Sequence, residues 1–326
     1  MLRITDPSVS SLLPPNTTRH IAKNSAWMIF ACDASGRLEA YRLDLKNGQA
    51  RQLTESEHLI ASSLTLAADE RSFCYLEGHS LFSAFLANLR TREVYRSAEG
   101  FEPSGALTIT DDGLYAALVE RKGAHHRLRL VRMLDGSAAT LAEADEEILD
   151  PVPRPRRASV LYRRSGGVWL ANFDGQQNYR LRLTDGEARE ALWSPDGRAV
   201  LYLNYPADTR QLRSLREFTP DTNEDKSIAG TSQFVSFHRN TDASVFVGAS
   251  GSKASPYVLL LVRAVKRELT LCEHRASDPA MVSPVFAPNS QRVLFGSDRH
   301  GKPAIYSMVV DKFVSETGAE EPQVYK

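Results

Sequence analysis

Seven segments of this chain can be written under one another, and the spacing between them limits the fold more than any other feature. They are IAKNSAWMIFA (21–31), LAADERSFCYL (66–76), ITDDGLYAALV (109–119), PRPRRASVLYR (153–163), WSPDGRAVLYL (193–203), HRNTDASVFVG (238–248) and FAPNSQRVLFG (286–296). Each joins a polar turn to an apolar triplet suited to a strand. The triplets centre on Ile29, Cys74, Ala117, Leu161, Leu201, Phe246 and Leu294, which lie 45, 43, 44, 40, 45 and 48 residues apart. A repeat in the forties with strand content is the pattern of a propeller with four strands per blade. The sequence therefore predicts an all-β fold: a single seven-bladed β-propeller over residues 1–311, then a charged tail over 312–326 that is expected to be mobile.

The first copy shows how a blade is encoded. Residues 27–31 are an apolar strand, 32–37 a turn, and 38–45 an alternating strand. Asn47-Gly48 supplies a tight hairpin, and 49–54 form the outer strand. The last copy ends after AIYSMVV (304–310) with no outer strand of its own. Residues 2–5, within LRITD, look like the outer strands RQLTE (51–55) and RLRLTD (180–185). They are expected to complete the last blade and close the ring, because an open ring would leave unpaired edges.

Lys and Arg together number 40, as do Asp and Glu, so the formal net charge is zero. That excludes nucleic acid as a main partner, since its binding needs a basic surplus. The positive charge is mostly guanidinium, 31 Arg against 9 Lys, a group suited to carboxylates. MLRITDPSVS lacks the apolar core of a signal peptide. No apolar run approaches the ~18–20 residues that span a bilayer. Cys32, Cys74 and Cys272 have no metal-like spacing and read as free thiols in a reducing compartment. The expectation is a cytoplasmic protein with no membrane partner.

WSPDGRAVLYL and FAPNSQRVLFGSDRHGKPAIY are similar to repeats of TolB-like and WD40-like propellers. A narrower resemblance rests on RITDP at the start, YRLDLKNGQARQLTE in the first blade, and the closing run YVLLLVRAVKRELTLCEHRAS…SPVFAPNSQRVLFGSDRHGKPAIY. These segments, in order along nearly the whole chain, resemble oligogalacturonate lyases, seven-bladed propellers of pectin catabolism. The resemblance implies β-elimination on short α-1,4-galacturonides. It also implies a manganese ion, Mn2+, held by histidines and a glutamine near the channel mouth. The proton next to a carboxylate is very weakly acidic, so the enolate-like intermediate needs a cation or several donors aimed at it.

The windows where that resemblance places the metal ligands are EAREALW (187–193), TSQFVSF (231–237) and AMVSPVF (280–286), and none contains a histidine. Ser236, Asp278, Met281 and Ser283 stand near the ligand positions. Glu190 stands where a further site histidine belongs, and Gly166-Gly167 where an arginine does. Ser and Met are poor ligands for a hard cation, so no metal is expected here despite the family's use of one.

Other groups must then carry any chemistry. Arg189 or Arg239 would neutralise a uronate carboxylate, and Glu190, His238 or Tyr205 would take the proton. Arg239, Ser236, Asp278, Ser283 and Tyr205 would contact substrate. Strand alternation sends only one of Arg189 and Glu190 to the channel. His238 takes the place of Trp193 and Phe286 in other copies, a packing position between blades, and His20 can reach the channel from blade one. Asp69, Asp112, Asp196 and Asp298 are read as turn residues, and His125, His126 and His300 as surface groups in turns. PRPRR (153–157), with Arg163 and Arg164, is either a solvated turn or a contact for an anionic sugar. GASGS (248–252) lacks the final glycine and the helix of a nucleophile elbow. The functional expectation is a lyase-like protein of oligouronide catabolism, catalytic or only binding acidic oligosaccharides (a pseudoenzyme). The alternative is a non-catalytic propeller that serves as a platform for a protein partner.

Overall fold

Each apolar triplet becomes the middle of the second strand of a blade. Those strands are Trp27–Cys32, Ser72–Glu77, Tyr115–Lys122, Ser159–Arg164, Val200–Tyr205, Val245–Ser250 and Arg292–Ser297. The computed structural model describes residues 1–231 and 233–311. All seven triplet centres are buried, because both faces of the strand pack on side chains. That two-sided burial is why the triplets read as continuous apolar runs rather than alternating ones.

Every one of these strands belongs to a four-stranded antiparallel sheet, and there are seven such sheets. The first strands of the sheets ring a central axis. They are Ser11–Leu12, Thr65–Leu66, Glu102–Ile109, Ile148–Pro153, Glu187–Trp193, Phe234–Arg239 and Val285–Phe286, for blades one to seven. The described core falls into seven clusters, each shared by two consecutive blades. Ile29 and Ala31 of blade one pack with Phe73 and Tyr75 of blade two. Met28, Phe30 and Leu43 of blade one pack with Leu294 and Ile305 of blade seven. The second contact makes the array a ring.

In six of the seven blades a short side chain of the turn after the inner strand, Asp or Asn, accepts from the N–H two residues ahead, and in blade four the backbone closes the turn, with the Arg157 N–H donating to Arg154 O at 3.3 Å. In blade five Ser194 Oγ and the Arg198 N–H both donate to Asp196 Oδ1, at 2.6 and 3.0 Å. In blade three Thr110 Oγ1 and the Leu114 N–H do the same to Asp112, at 2.5 and 2.9 Å. A short carboxylate bonding two residues ahead fixes the tight turn, which is why the motif recurs.

Blade seven consists of Val285–Phe286, Arg292–Ser297, Ala304–Val309 and the N-terminal strand Leu2–Arg3. Leu2 pairs with Ser307 and Arg3 with Tyr306. The Ile4 N–H donates to Ile305 O at 3.0 Å, and the Ile305 N–H to Thr5 Oγ1 at 3.1 Å. The N-terminal segment thus closes the ring as the sequence implied. Deleting residues 1–6 removes these bonds and exposes the edge of Ala304–Val309. The melting temperature should fall by roughly 5–10 °C, from several bonds at about 1 kcal/mol each. Scanning calorimetry checks this, and an unchanged transition would contradict closure by this strand.

The expected tail, 312–326, lies outside the described residues. No helix among the described residues is long and apolar enough to cross a membrane. Cys32, Cys74 and Cys272 are all unpaired.

Candidate functional site

The inner strands of blades three to six break their pairing register at about the same depth. The breaks fall between Ser104 and Thr108, Leu149 and Val152, Ala188 and Ala191, and Phe234 and Ser236. Such bulges re-aim side chains that strict alternation would place elsewhere. In blade four the extra residues are Asp150-Pro151, with Asp150 in the left-handed region (φ 48°). In blade five they are Arg189-Glu190.

Blade one adds an interruption of a different kind. After Ser11–Leu12 its chain leaves the sheet and crosses the axis. Asn16 Nδ2 donates to Phe237 O at 2.8 Å and to Glu190 Oε2 at 3.3 Å, so blade one touches blades five and six through the channel. Asn16 and Thr17 wall two cavities, one at each end of the channel.

The first cavity, about 380 Å³, lies where the inner strands begin. Its polar walls include Asp150, Arg163, Glu190, Ser62 and Ser283, with Met281 beside them. Arg163 comes from the second strand of blade four and is committed to Asp150, with Nε and Nη2 at 2.7 and 2.5 Å from Oδ2. Glu190 sits deep in the wall, and its accessible surface opens on the cavity. Burial pushes its carboxyl up to about 8 and Asp150 adds to the rise. The Phe237 N–H at 2.8 Å, Arg163 and Asn16 pull the other way. At neutral pH the group therefore holds its proton, and the cavity, with Arg163 matched by Asp150, carries no net charge.

The second cavity, about 410 Å³, lies where the inner strands end, and His20, His238, Arg19, Asp111 and Arg239 line it. The Phe286 N–H donates to His238 Nδ1 at 3.2 Å, which assigns the ring proton to Nε2. Burial, then Arg239 and His20, push this imidazole down to about 3, so it stays neutral. Arg239 donates from Nε to Trp193 O at 2.8 Å and from Nη1 to Asn240 O at 3.4 Å. Burial brings its guanidinium down to about 10.

The candidates from sequence thus divide. Glu190 and Ser283 wall the first cavity, and His20, His238 and Arg239 the second. Arg189 turns away from both: it is exposed, pairs with Glu187 at 3.1 Å and lies 4.5 Å from the centre of the Tyr205 ring. The bulge decides which of the two neighbours enters the channel. Tyr205 is clamped between Arg189 and Arg213, and its hydroxyl donates to Phe234 O at 2.8 Å, so it faces neither cavity. Asp278 is exposed and caps the short helix Pro279–Met281 by accepting from the Ala280 N–H at 2.9 Å. Ser236 is buried, with its Oγ unpartnered, and lines neither cavity. His300 bonds Tyr306 within blade seven, and His125 bonds Asp145 in a hairpin of blade three.

These walls do not suit a divalent cation. Among the described residues no three His, Cys, Asp or Glu side chains converge on a metal position. Where the resemblance implied imidazoles, the first cavity offers a thioether and a hydroxyl, Met281 and Ser283.

Sequence reasoning missed Asp150 and Asn16 of the first cavity, and it named Arg163 as a contact for an anionic sugar only as one of two readings of a basic cluster. Asp150-Pro151 carried a usable signal, because proline inside a strand marks a bulge or an edge. Asn16 gave no signal, since its segment belongs to no repeat.

No family model matches the chain. An oligogalacturonide lyase from Pectobacterium atrosepticum is 23% identical over 362 aligned positions, which cover 93% of each chain. A solved oligogalacturonate lyase in complex with manganese superposes with a TM-score of 0.88 at 22% identity, over 94% of this chain and 92% of that one. The oligogalacturonate lyase of Vibrio parahaemolyticus gives 0.87 at 24%, over 94% and 93%. In sequence and in fold, the chain resembles these lyases over nearly its whole length.

Proposed function

We propose that this chain is a divergent relative of the oligogalacturonate lyases that binds short oligogalacturonides in its first cavity without a metal ion. The observation that carries the reading is the make-up of that wall. Arg163 and a protonated Glu190 converge on the axis, beside Met281 and Ser283 where metal ligands were implied. A uronate carboxylate entering there would share Arg163 with Asp150 and accept a hydrogen bond from the Glu190 carboxyl. Charge-assisted bonds of this kind are the stronger ones. The names of the similar proteins supply the substrate class.

A catalytic version draws on one observation, the raised pKa of Glu190. Once ionised, such a carboxylate is a stronger base than an ordinary one. It would take the C5 proton as the C4–O bond breaks, the C–H electron pair forming the C4–C5 double bond and the departing oxygen taking a proton from solvent water. The developing charge would then fall on Arg163 alone, which is weak support. Binding is therefore the function we assign, in a one-domain cytoplasmic propeller, the compartment being supported by the three unpaired thiols.

Calorimetric titration with digalacturonate tests this. The wild type should bind, and Arg163→Met should lose roughly ten- to a hundredfold in affinity, as expected for a charge-assisted contact. A neutral galactose disaccharide should not bind, and no ultraviolet-absorbing unsaturated product should form. Absence of binding, or binding indifferent to Arg163, would overturn the assignment.

A further inference from the structure

We infer that the second cavity is a separate binding site for a small hydroxy-carboxylate, held by Arg19 and Arg239. The cavity gathers polar groups that the protein itself leaves unmatched. Arg239 forms no ion pair among the described residues, and its hydrogen bonds go to two backbone carbonyls, Trp193 O and Asn240 O. Arg19 Nη2 meets Asp111 at 3.0 Å, while its Nη1 is buried with no partner. Thr17 Oγ1 is buried and unpartnered as well. Two guanidinium groups thus face one carboxylate, and the two histidines are neutral, so the walls carry one positive charge. Buried polar groups in native proteins are rarely left unpaired, and several around one cavity call for an explanation.

The histidines narrow the ligand further. His20 is 3% exposed. Its Nδ1 lies 3.1 Å from Thr18 O, an acceptor, so the proton is on Nδ1 and Nε2 presents a lone pair. That Nε2 is buried with no partner. His238 has the opposite tautomer and presents an N–H from Nε2. The cavity therefore offers guanidinium donors for a carboxylate, an acceptor for a ligand hydroxyl and a donor for a ligand oxygen. A monoanion bearing hydroxyl groups matches all three. The volume, about 410 Å³, suits a molecule of sugar-acid size. The first cavity differs in kind, because its arginine is already matched by Asp150.

D-gluconate is a suitable probe, since it has the carboxylate and hydroxyls but no sugar ring. The full chain should bind it one to one in calorimetry at low salt and neutral pH. Sorbitol, with the same carbon chain and no carboxylate, should give no heat. Arg239→Met should weaken gluconate binding at least tenfold, while Arg163→Met should change it less than twofold. Asp111→Asn alters an exposed carboxylate and frees Arg19, so it should tighten binding severalfold. That variant also decides the matter if Arg239→Met does not fold. No gluconate binding at millimolar concentration by the wild type and by Asp111→Asn would overturn the inference and leave a cavity that holds water only. Loss of binding in Arg163→Met with Arg239→Met unaffected would overturn it too. Because Arg163 reports on one cavity and Arg239 on the other, this site can fail while the digalacturonate site stands, and the reverse.

Discussion

Replacing Glu190 with glutamine should leave stability unchanged near pH 5 and raise it clearly near pH 9, because only the wild-type carboxyl can ionise in the folded protein. Burial lifts the Glu190 carboxyl from 4.5 to about 8 in the folded protein. Between those values the folded chain holds a proton that the unfolded chain has released. Stability therefore falls as pH rises through that window and levels off above it. A shift of that size corresponds to at most about 5 kcal/mol. The carboxyl keeps surface open to the cavity, so the realised loss should be nearer 2 kcal/mol, or on the order of 5 °C in melting temperature. Glutamine keeps an acceptor for the Phe237 N–H and for Asn16 but cannot ionise. Its melting curve should match the wild type in acid and separate from it progressively towards pH 9. The other carboxylates are common to both proteins and drop out of the difference. A constant gap across the range would contradict a protonated Glu190 at neutral pH.

Gly296→Ala should unfold more easily and lose oligogalacturonide binding together. Gly296 lies in Arg292–Ser297 and donates its N–H to Val282 O at 2.9 Å. A β-carbon there would stand 2.4 Å from the backbone oxygen of Met281. Backbone cannot swing aside as a side chain can, so the segment through 281–283 must shift. Overpacking of this kind costs typically about 1–3 kcal/mol, and a displaced backbone places this case at the upper end. The same segment carries Met281 and Ser283 on the wall of the first cavity. Gly230→Ala is the control, since its β-carbon would have Leu212 no nearer than 3.8 Å. Chemical denaturation should show a clear loss for the first variant and almost none for the second. Equal effects would mean that close approach is not what requires glycine at 296.

The blades were legible because one instruction is written seven times. An apolar triplet buried on both faces, preceded in six of the seven copies by a turn that its own Asp or Asn side chain holds, needs no long-range information. Closure was legible for a related reason, since residues 2–5 carry the pattern of outer strands paired elsewhere in the ring. The site was less open to such reading. Alternation said that one of Arg189 and Glu190 enters the channel but could not choose, because a bulge resets the count at that pair. Asp278 and Ser283 lie five residues apart, yet one caps a helix turn and the other reaches a cavity. Spacing carries no trace of that difference. Asn16 belongs to no repeat, and its role exists only once three distant blades meet. Pairing of Arg163 and non-pairing of Arg239 depend on which carboxylates the fold brings within ion-pair distance, Asp150 in one case and, among the described residues, none in the other.

Digalacturonate titration of protein stripped by a chelator, repeated after adding manganese, bears most directly on the idea that arginine and a protonated carboxyl have taken over from a metal. The two titrations should give the same affinity and stoichiometry. Binding that appears only once manganese is restored would contradict it.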